Sequence, residues 1–216
     1  MPAQLTAHLQ ATFGPHVLGA QTYRGQEMLV LKREGLVPVA QFLRDDPAMA
    51  FDFLMDLAGV DYLKFGRSQS SAPTLTTPAP LPYFMQPKPD AEPWQRLVPD
   101  EEYRFEVVYH FYSSSKNHRL RVKVPLTAAD PSVPSLTGLW RSANWFEREA
   151  WDMYGITFTG HPDLRRLLTF EGFPGHPLRK DYPIRRRPSL NERLGGRVGP
   201  HNQETLEARG PRLETS

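Results

Sequence analysis

The 216-residue sequence contains no cysteine. This absence excludes disulfides, zinc sites built on thiolates, thiol nucleophiles and cysteine-ligated iron–sulfur clusters. No apolar run approaches the ~20 residues that a membrane-spanning helix needs, and the first residues lack the charged-then-apolar pattern of a secretion signal. We therefore expect a cytosolic protein, or one held peripherally on the cytosolic side of a membrane.

A strong charge of one sign is also missing. The chain has 26 basic and 24 acidic residues, for a formal net charge of +2, so no strong field directs it to nucleic acid or anionic lipid. The sequence has neither a Gly-x-x-x-x-Gly-Lys-Ser/Thr run nor a Gly-x-Ser-x-Gly elbow. Its glycine cluster at residues 195–199 lies in a polar tail rather than after a strand. Nucleotide binding through a P-loop and serine hydrolysis are thus excluded.

The hydrophobic pattern indicates one α+β domain with appendages. The apolar fraction of 39% is enough for a single core. The spacing of apolar residues predicts helices over residues 5–13, 38–43 and 47–58, the last one N-capped by Asp46, and strands over 17–23, 28–32, 60–65, 103–112 and 119–124. We predict a mostly antiparallel sheet of about five strands, with helices on one face.

The last two predicted strands form a hairpin. Leu120, Val122 and Val124 alternate with Arg119, Arg121 and Lys123, which predicts one face in the core and the other in water.

The composition of the sequence divides the chain into four parts. We assign residues 1–65 and 100–160 to the α+β domain, 66–99 to a proline-rich arm, 161–183 to interface loops and 184–216 to an extended polar tail. The arm is either a linker or a segment that docks on a partner or on its own domain.

Residues 144–183 carry the most information about function. Their first part predicts a helix in which Asn144 is the N-cap, Glu147 completes a capping box and Gly155 ends the helix. Arg148 and Asp152 are four residues apart, so they share a helix face and can form an ion pair. Beyond Gly155, proline and glycine recur every few residues, yet the segment is rich in charged and aromatic side chains. We expect such a segment to be held by contacts outside itself, supplied by neighbouring chains.

Catalytic interpretations of this segment are weaker than structural ones. His161 and His176 are fifteen residues apart, which does not match a metal-ligand pattern with Asp152 or Asp163; a structural role for both histidines is favoured. Glu149 and Asp152 share a helix face with Glu147 close by, but the many arginines favour ion pairs over acid–base catalysis. A metallohydrolase remains a third hypothesis.

An RNA-binding module is the second hypothesis. It draws on Arg185, Arg186 and Arg187, and on Tyr103, Phe105 and Tyr109 as stacking aromatics on a sheet. These aromatics share the apolar face of the hairpin, so we favour a place in the core. The first hypothesis is a protein–protein interface, because Trp, Tyr and Arg dominate interface hot spots and are concentrated in this segment.

Three motifs carry a family resemblance. Residues 147–156 (EREAWDMYGI), 158–168 (FTGHPDLRRLL) and 175–183 (GHPLRKDYP) follow one another in a fixed order. This stretch of about forty residues resembles the 30 kDa (C-type) subunit family of respiratory complex I, the proton-pumping NADH:quinone oxidoreductase. Related subunits occur in membrane-bound hydrogenases and in complexes fed by other electron donors, which stay open as alternatives.

The resemblance implies a structural subunit of the peripheral arm that has no active site of its own. It would carry no cofactor; FMN, iron–sulfur clusters, NADH and quinone would belong to the complex. Its partners would be the large quinone-site subunit and the iron–sulfur subunits, on the cytoplasmic side of the inner membrane, with no nucleic acid and no membrane span. The residues we expect at partner interfaces are Trp145, Glu147, Arg148, Glu149, Asp152, His161, Asp163, Arg165, Arg166, His176, Arg179, Lys180, Asp181, Tyr182, Arg185, Arg186 and Arg187.

Overall fold

A computed structural model of the chain describes residues 3–63, 97–98 and 102–183. The predicted arm at 66–99, except residues 97–98, and the predicted tail at 184–216 lie outside these residues. The helices are α1 (Ala3–Phe13), α2 (Leu36–Asp45) and α3 (Ala143–Tyr154). The strands are β1 (Val17–Tyr23), β2 (Gln26–Leu31), β3 (Phe53–Asp61), β4 (Phe105–Ser113), β5 (His118–Leu126), β6 (Ser132–Pro134) and β7 (Thr157–Thr159).

The first five strands form one sheet in the order β1-β2-β5-β4-β3. In this sheet the β2–β5 pair is parallel and the other three pairs are antiparallel. Strands β6 and β7 form a small parallel pair of their own. The predicted α+β class, with a mostly antiparallel sheet of five strands, is confirmed.

The core lies on the face of the sheet that the helices cover. The alternating residues of the hairpin, such as Tyr109 on β4 and Val122 on β5, are fully buried there. Leu9 of α1, Leu43 of α2 and Ala150 of α3 belong to the same buried cluster. Each helix thus turns an apolar stripe towards one side of the sheet, as the periodicity of the sequence predicts.

The helix predicted over residues 47–58 is wrong. After α2 the chain makes a short turn, in which a side-chain oxygen of Asp46 accepts a hydrogen bond from the Ala48 N–H at 2.7 Å, and β3 follows. The pairing of β3 with β4 shifts between Leu54 and Asp56, so Leu54 and Leu57 both face the core. This β-bulge places buried residues three apart, which imitates the spacing of a helix. The separate strand predicted over 60–65 is the end of β3, which stops at Asp61.

The second face of the sheet is only partly exposed to solvent. Lys123, predicted to face water, is buried and pairs with the buried Glu106 at 2.9 Å. Arg119 is exposed and Arg121 half-buried, closer to the predicted pattern. The solvent-exposed part of this second face is therefore confined to the end of the sheet near the β4–β5 turn.

Candidate functional site

The C-terminal end of α3 starts the segment that the sequence singles out. Helix α3 ends at Gly155, whose φ of 72° lies in the left-handed region, and the Gly155 N–H donates to the Trp151 carbonyl at 2.8 Å. A β-carbon at this position would stand 2.6 Å from the His176 ring. Glycine is therefore required both by the backbone conformation and by the close approach of the following loop.

Asp152 is the anchor of residues 165–169. Its fully buried carboxylate accepts hydrogen bonds from the backbone N–H groups of Leu167, Leu168 and Thr169 at 3.0, 2.8 and 2.8 Å. The Thr169 hydroxyl also donates to it. Burial opposes ionisation, but these donors and Arg166 outweigh it and hold the pKa of Asp152 well below its usual range.

Arg166 connects this anchor to the next loop. Its guanidinium lies 2.7 Å from the Asp152 carboxylate and donates to the carbonyls of Phe173 and Gly175 at 2.8 and 3.2 Å. Its central carbon also lies 5.6 Å from the centre of the Trp151 ring. The predicted pair of Arg148 with Asp152 is wrong, because Arg166 takes that place.

Arg148 instead binds backbone. It donates to the carbonyls of Arg165 and Arg166, both at 3.2 Å, and lies 5.3 Å from the centre of the Trp145 ring. The expectation that neighbouring chains must hold residues 161–183 is wrong for these contacts, since α3 of the same chain supplies them.

Among the described residues, Glu147 neither caps α3 nor joins an ion pair, although the sequence predicts both roles for it. The helix begins at Ala143, after Ser142 in the cap position and without a side-chain cap among the described residues. The buried Glu147 carboxylate accepts hydrogen bonds from the Ser135 hydroxyl at 2.6 Å and the Leu136 N–H at 2.7 Å. Burial raises the pKa of Glu147 to about 7, although these two bonds act in the opposite direction.

Both histidines of the segment hold turns, as predicted. His161 accepts a hydrogen bond from the Asp163 N–H at 3.0 Å through Nδ1, so its Nε2 carries the proton and faces the Asn144 carbonyl at 3.3 Å. His176 donates from Nδ1 to the Asp152 carbonyl at 2.9 Å. Each ring thereby ties a loop to α3.

Residues 180 and 181 are tied to the sheet by two residues that sequence reasoning missed. Arg104 bridges the carboxylates of Asp61 and Asp181, each at 2.9 Å, and the Lys180 N–H donates to Asp61 at 2.9 Å. Arg179 lies 5.2 Å from the centre of the Phe105 ring. No local pattern could reveal Arg104 and Asp61, because they lie just before β4 and on β3, far from the motif in sequence.

The predicted interface residues that the structure describes therefore fall into three groups. Buried ones serve the chain itself: Glu147, Arg148 and Asp152. Those exposed to solvent are Trp145, Glu149, Asp163, Arg165, Lys180 and Asp181, and those of intermediate exposure are His161, Arg166, His176, Arg179 and Tyr182. Arg185, Arg186 and Arg187 lie outside the described residues. Contact of any of them with a partner stays a prediction.

Two kinds of site are not found in the part of the chain that the structure describes. Within residues 3–63, 97–98 and 102–183, no group of three or more His, Cys, Asp or Glu side chains is arranged to hold a metal ion. In the same residues, no helix is long and apolar enough to cross a membrane.

Comparison with known proteins decides the family. A model of the family described as the 30 kDa subunit of the respiratory-chain NADH dehydrogenase matches residues 29–188. The chain belongs to this 30 kDa subunit family. It is 44% identical to the C subunit of NADH-quinone oxidoreductase from Legionella pneumophila strain Corby, over 83% of this chain and 77% of the relative. The corresponding C subunit from Coxiella burnetii strain Dugway 5J108-111 is 47% identical, over 69% of this chain and 63% of the relative.

Two solved structures resemble the chain. The trypsin-resistant fragment 1–134 of Nqo5 is 29% identical with a TM-score of 0.51, over 76% of this chain and all of the fragment. A chain of an archaeal membrane-bound sulfane sulfur reductase has a TM-score of 0.59 at 11% identity, over 99% of this chain and 95% of that chain, which shows a shared fold alone.

Proposed function

We propose that this chain is the structural subunit of the peripheral arm of a proton-pumping NADH:quinone oxidoreductase. In that role it binds the large quinone-site subunit and the iron–sulfur subunits, on the cytoplasmic side of the inner membrane. The electron transfer and proton translocation belong to the assembly. Membership of the 30 kDa subunit family supports this role.

The observation that carries the proposal is an exposed tryptophan on a rigid support. Trp145 is 61% exposed, although its ring stands against Arg148, which is itself fixed by two loop carbonyls. Leu168 is 64% exposed and its N–H is fixed by Asp152. Large apolar side chains that are exposed and yet held in place are typical of interface anchors.

Charged residues lie close in sequence to these two apolar side chains. Arg165 and Asp163 are exposed and pair with each other at 3.0 Å, and Glu149 lies one turn of α3 beyond Trp145. An apolar centre with charged residues around it is the usual arrangement of a protein–protein interface.

The test is assembly in a bacterium whose own gene for the 30 kDa subunit has been deleted. We expect the tagged chain to be purified from gently solubilised membranes together with quinone-site and iron–sulfur subunits. Trp145→Ser should weaken the binding free energy by about 2 kcal/mol, and so reduce this recovery more than tenfold. The purified variant should keep its unfolding midpoint. Leu18→Ser, which changes an exposed leucine on β1, is the matched control and should assemble normally.

Two results would refute the proposal. One is recovery of the chain with hydrogenase subunits, or with a complex fed by another donor, in place of the quinone reductase. The other is recovery of the wild-type chain alone from membranes in which the complex is intact.

A further inference from the structure

The open end of the sheet's second face carries a continuous line of polar and aromatic side chains. Phe53 pairs with Tyr112, Tyr112 with Arg119, and Gln26 with Tyr23, and the register of β2 on β5 places Gln26 beside Arg119. Paired residues point to the same side of a sheet. We call these five residues the arginine–aromatic row.

The arginine–aromatic row faces away from the core. The next residues along β3, β4 and β5 are Leu54, Phe111 and Leu120, and all three are buried in the core cluster. Successive side chains on a strand point to opposite faces of the sheet. The row therefore lies on the face that the helices leave uncovered.

The arginine–aromatic row is also accessible. Phe53 is 50% and Tyr23 is 47% exposed, and Gln26 and Arg119 are exposed as well. Next to it lies a depression of about 340 Å³, lined in part by Met55. Phe53 and Met55 belong to the edge strand β3, and apolar residues exposed on an edge strand are unusual unless something covers them.

The charge of this surface is predominantly positive. Arg119 and Arg121 stand on it, while Asp56 is the acidic residue lining the depression. Asp52, at the neighbouring turn, adds a second negative charge, and Arg24, whose guanidinium lies 5.3 Å from the centre of the Tyr23 ring, adds a third positive charge. The surface therefore attracts an anionic group.

His110, which also lines the depression, is held towards its neutral form. Burial and the nearby Arg121 and Lys123 lower the pKa of His110, against the opposite effect of Asp56. The positive charge that an anionic group would meet here is thus that of the arginines.

The arginines are already oriented. The Arg119 guanidinium lies 5.5 Å from the centre of the Tyr112 ring, and the Tyr112 hydroxyl donates to the Asn117 side chain at 3.1 Å. The Arg121 guanidinium faces the Gln26 side-chain oxygen at 3.5 Å, and its Nε is buried without an acceptor among the described residues. Guanidinium groups fixed in this way lose little freedom when they bind a carboxylate.

We propose that the arginine–aromatic row docks an acidic segment of a neighbouring subunit, with carboxylates at Arg119 and Arg121 and an apolar residue against Phe53 and Met55. The proposal rests on the proposed function for the source of that segment. RNA is the less suitable occupant, because arginines already lie over the rings of Tyr112 and Tyr23, at 5.5 and 5.3 Å. Two of the three rings in the row are therefore not free to stack on bases.

The test is photo-crosslinking of the full chain in membranes. Phe53 is replaced by photoreactive p-benzoylphenylalanine, and Lys32, just beyond the other end of β2, is replaced in the same way as a control. We expect a cross-link from position 53, and not from position 32, to a segment rich in aspartate and glutamate. In the position-53 background, Arg119→Glu should reduce the cross-link yield at least tenfold at about 150 mM salt, whereas Lys32→Glu should leave it unchanged. Arg119→Lys should restore most of the yield.

Several results would overturn the proposal. If the chain assembles but position 53 gives no cross-link, or one to a segment without acidic residues, this docking surface does not exist. An unchanged yield with Arg119→Glu, or a cross-linked product that nuclease degrades, also overturns it. If the chain assembles with no quinone reductase, the proposed function fails; an Arg119-dependent cross-link to an acidic segment of another protein would still uphold the docking surface.

Discussion

Asp152 offers the sharpest test of how this chain orders a segment that has almost no regular structure. Replacement by asparagine keeps the shape of the side chain but removes its charge and turns one acceptor into a donor. Five groups donate to the two carboxylate oxygens: three backbone N–H groups, the Thr169 hydroxyl and the Arg166 guanidinium. Whichever way the amide is oriented, its NH₂ group must face at least two of these donors.

The expected effect is large and local. Removing one partner of a buried, hydrogen-bonded charge pair costs about 3–5 kcal/mol, because the other charge is left without compensation. The side chain of Arg166 is only 15% exposed, so it is not free to turn into water. Residues 165–169 should therefore open without the sheet, because Asp152 contacts this loop while the core contacts of β4 are made elsewhere.

Hydrogen exchange measures this opening directly. In Asp152→Asn, the amides of Leu167, Leu168 and Thr169 should exchange about 10²- to 10⁴-fold faster, or at the unprotected rate if that is reached first, since 1.36 kcal/mol corresponds to a factor of ten. The amide of Val107 in β4 should keep its protection. Glu149→Gln, on the exposed face of α3, is the control and should change neither. Wild-type exchange at residues 167–169, or equal acceleration throughout the chain, would refute the reasoning.

Two further predictions concern stability. The pKa of Glu147 is raised to about 7 in the folded chain, so the folded state binds more protons than the unfolded state between about pH 4.5 and 7, and stability should fall as the pH rises through this range. Urea midpoints at pH 5.5 and 8 should therefore differ more for wild type than for Glu147→Gln; equal differences would count against a titrating Glu147. Gly59→Ala should lower the free energy of unfolding, measured by urea titration, by about 1–3 kcal/mol, because its β-carbon would lie 2.7 Å from the Tyr154 ring. Gly138→Ala, where nothing lies within 4 Å, should be nearly neutral.

The ordering of residues 161–183 depends on backbone groups bonded to side chains. Arg148, Asp152 and Arg166 together bind the backbone of seven residues in these loops. Such bonds replace the ladder that a helix or strand would provide, because buried backbone N–H and C=O groups need partners wherever they lie. This explains how a segment broken by proline and glycine can still hold Leu168 in a fixed position.

Local patterns predict local structure in this protein, and the main error shows where they stop. The β4–β5 hairpin alternates regularly, so its strands and its core face could be predicted. The sequence of strand β3 looks helical because one bulge moves Leu57 onto the same face as Leu54. A bulge is a property of the pairing between two strands, and β3 and β4 lie far apart in the sequence.

The sequence alone determined the family, the class of fold and the residues of the motif, because these are encoded in the order of neighbouring residues. Only the tertiary structure decided what each motif residue does. Arg166, and not Arg148, pairs with Asp152; Glu147 faces Ser135; and Arg104 holds Asp181 to the sheet. Many groups of opposite charge lie within reach of a charged side chain, and the one it binds depends on which groups the fold buries beside it.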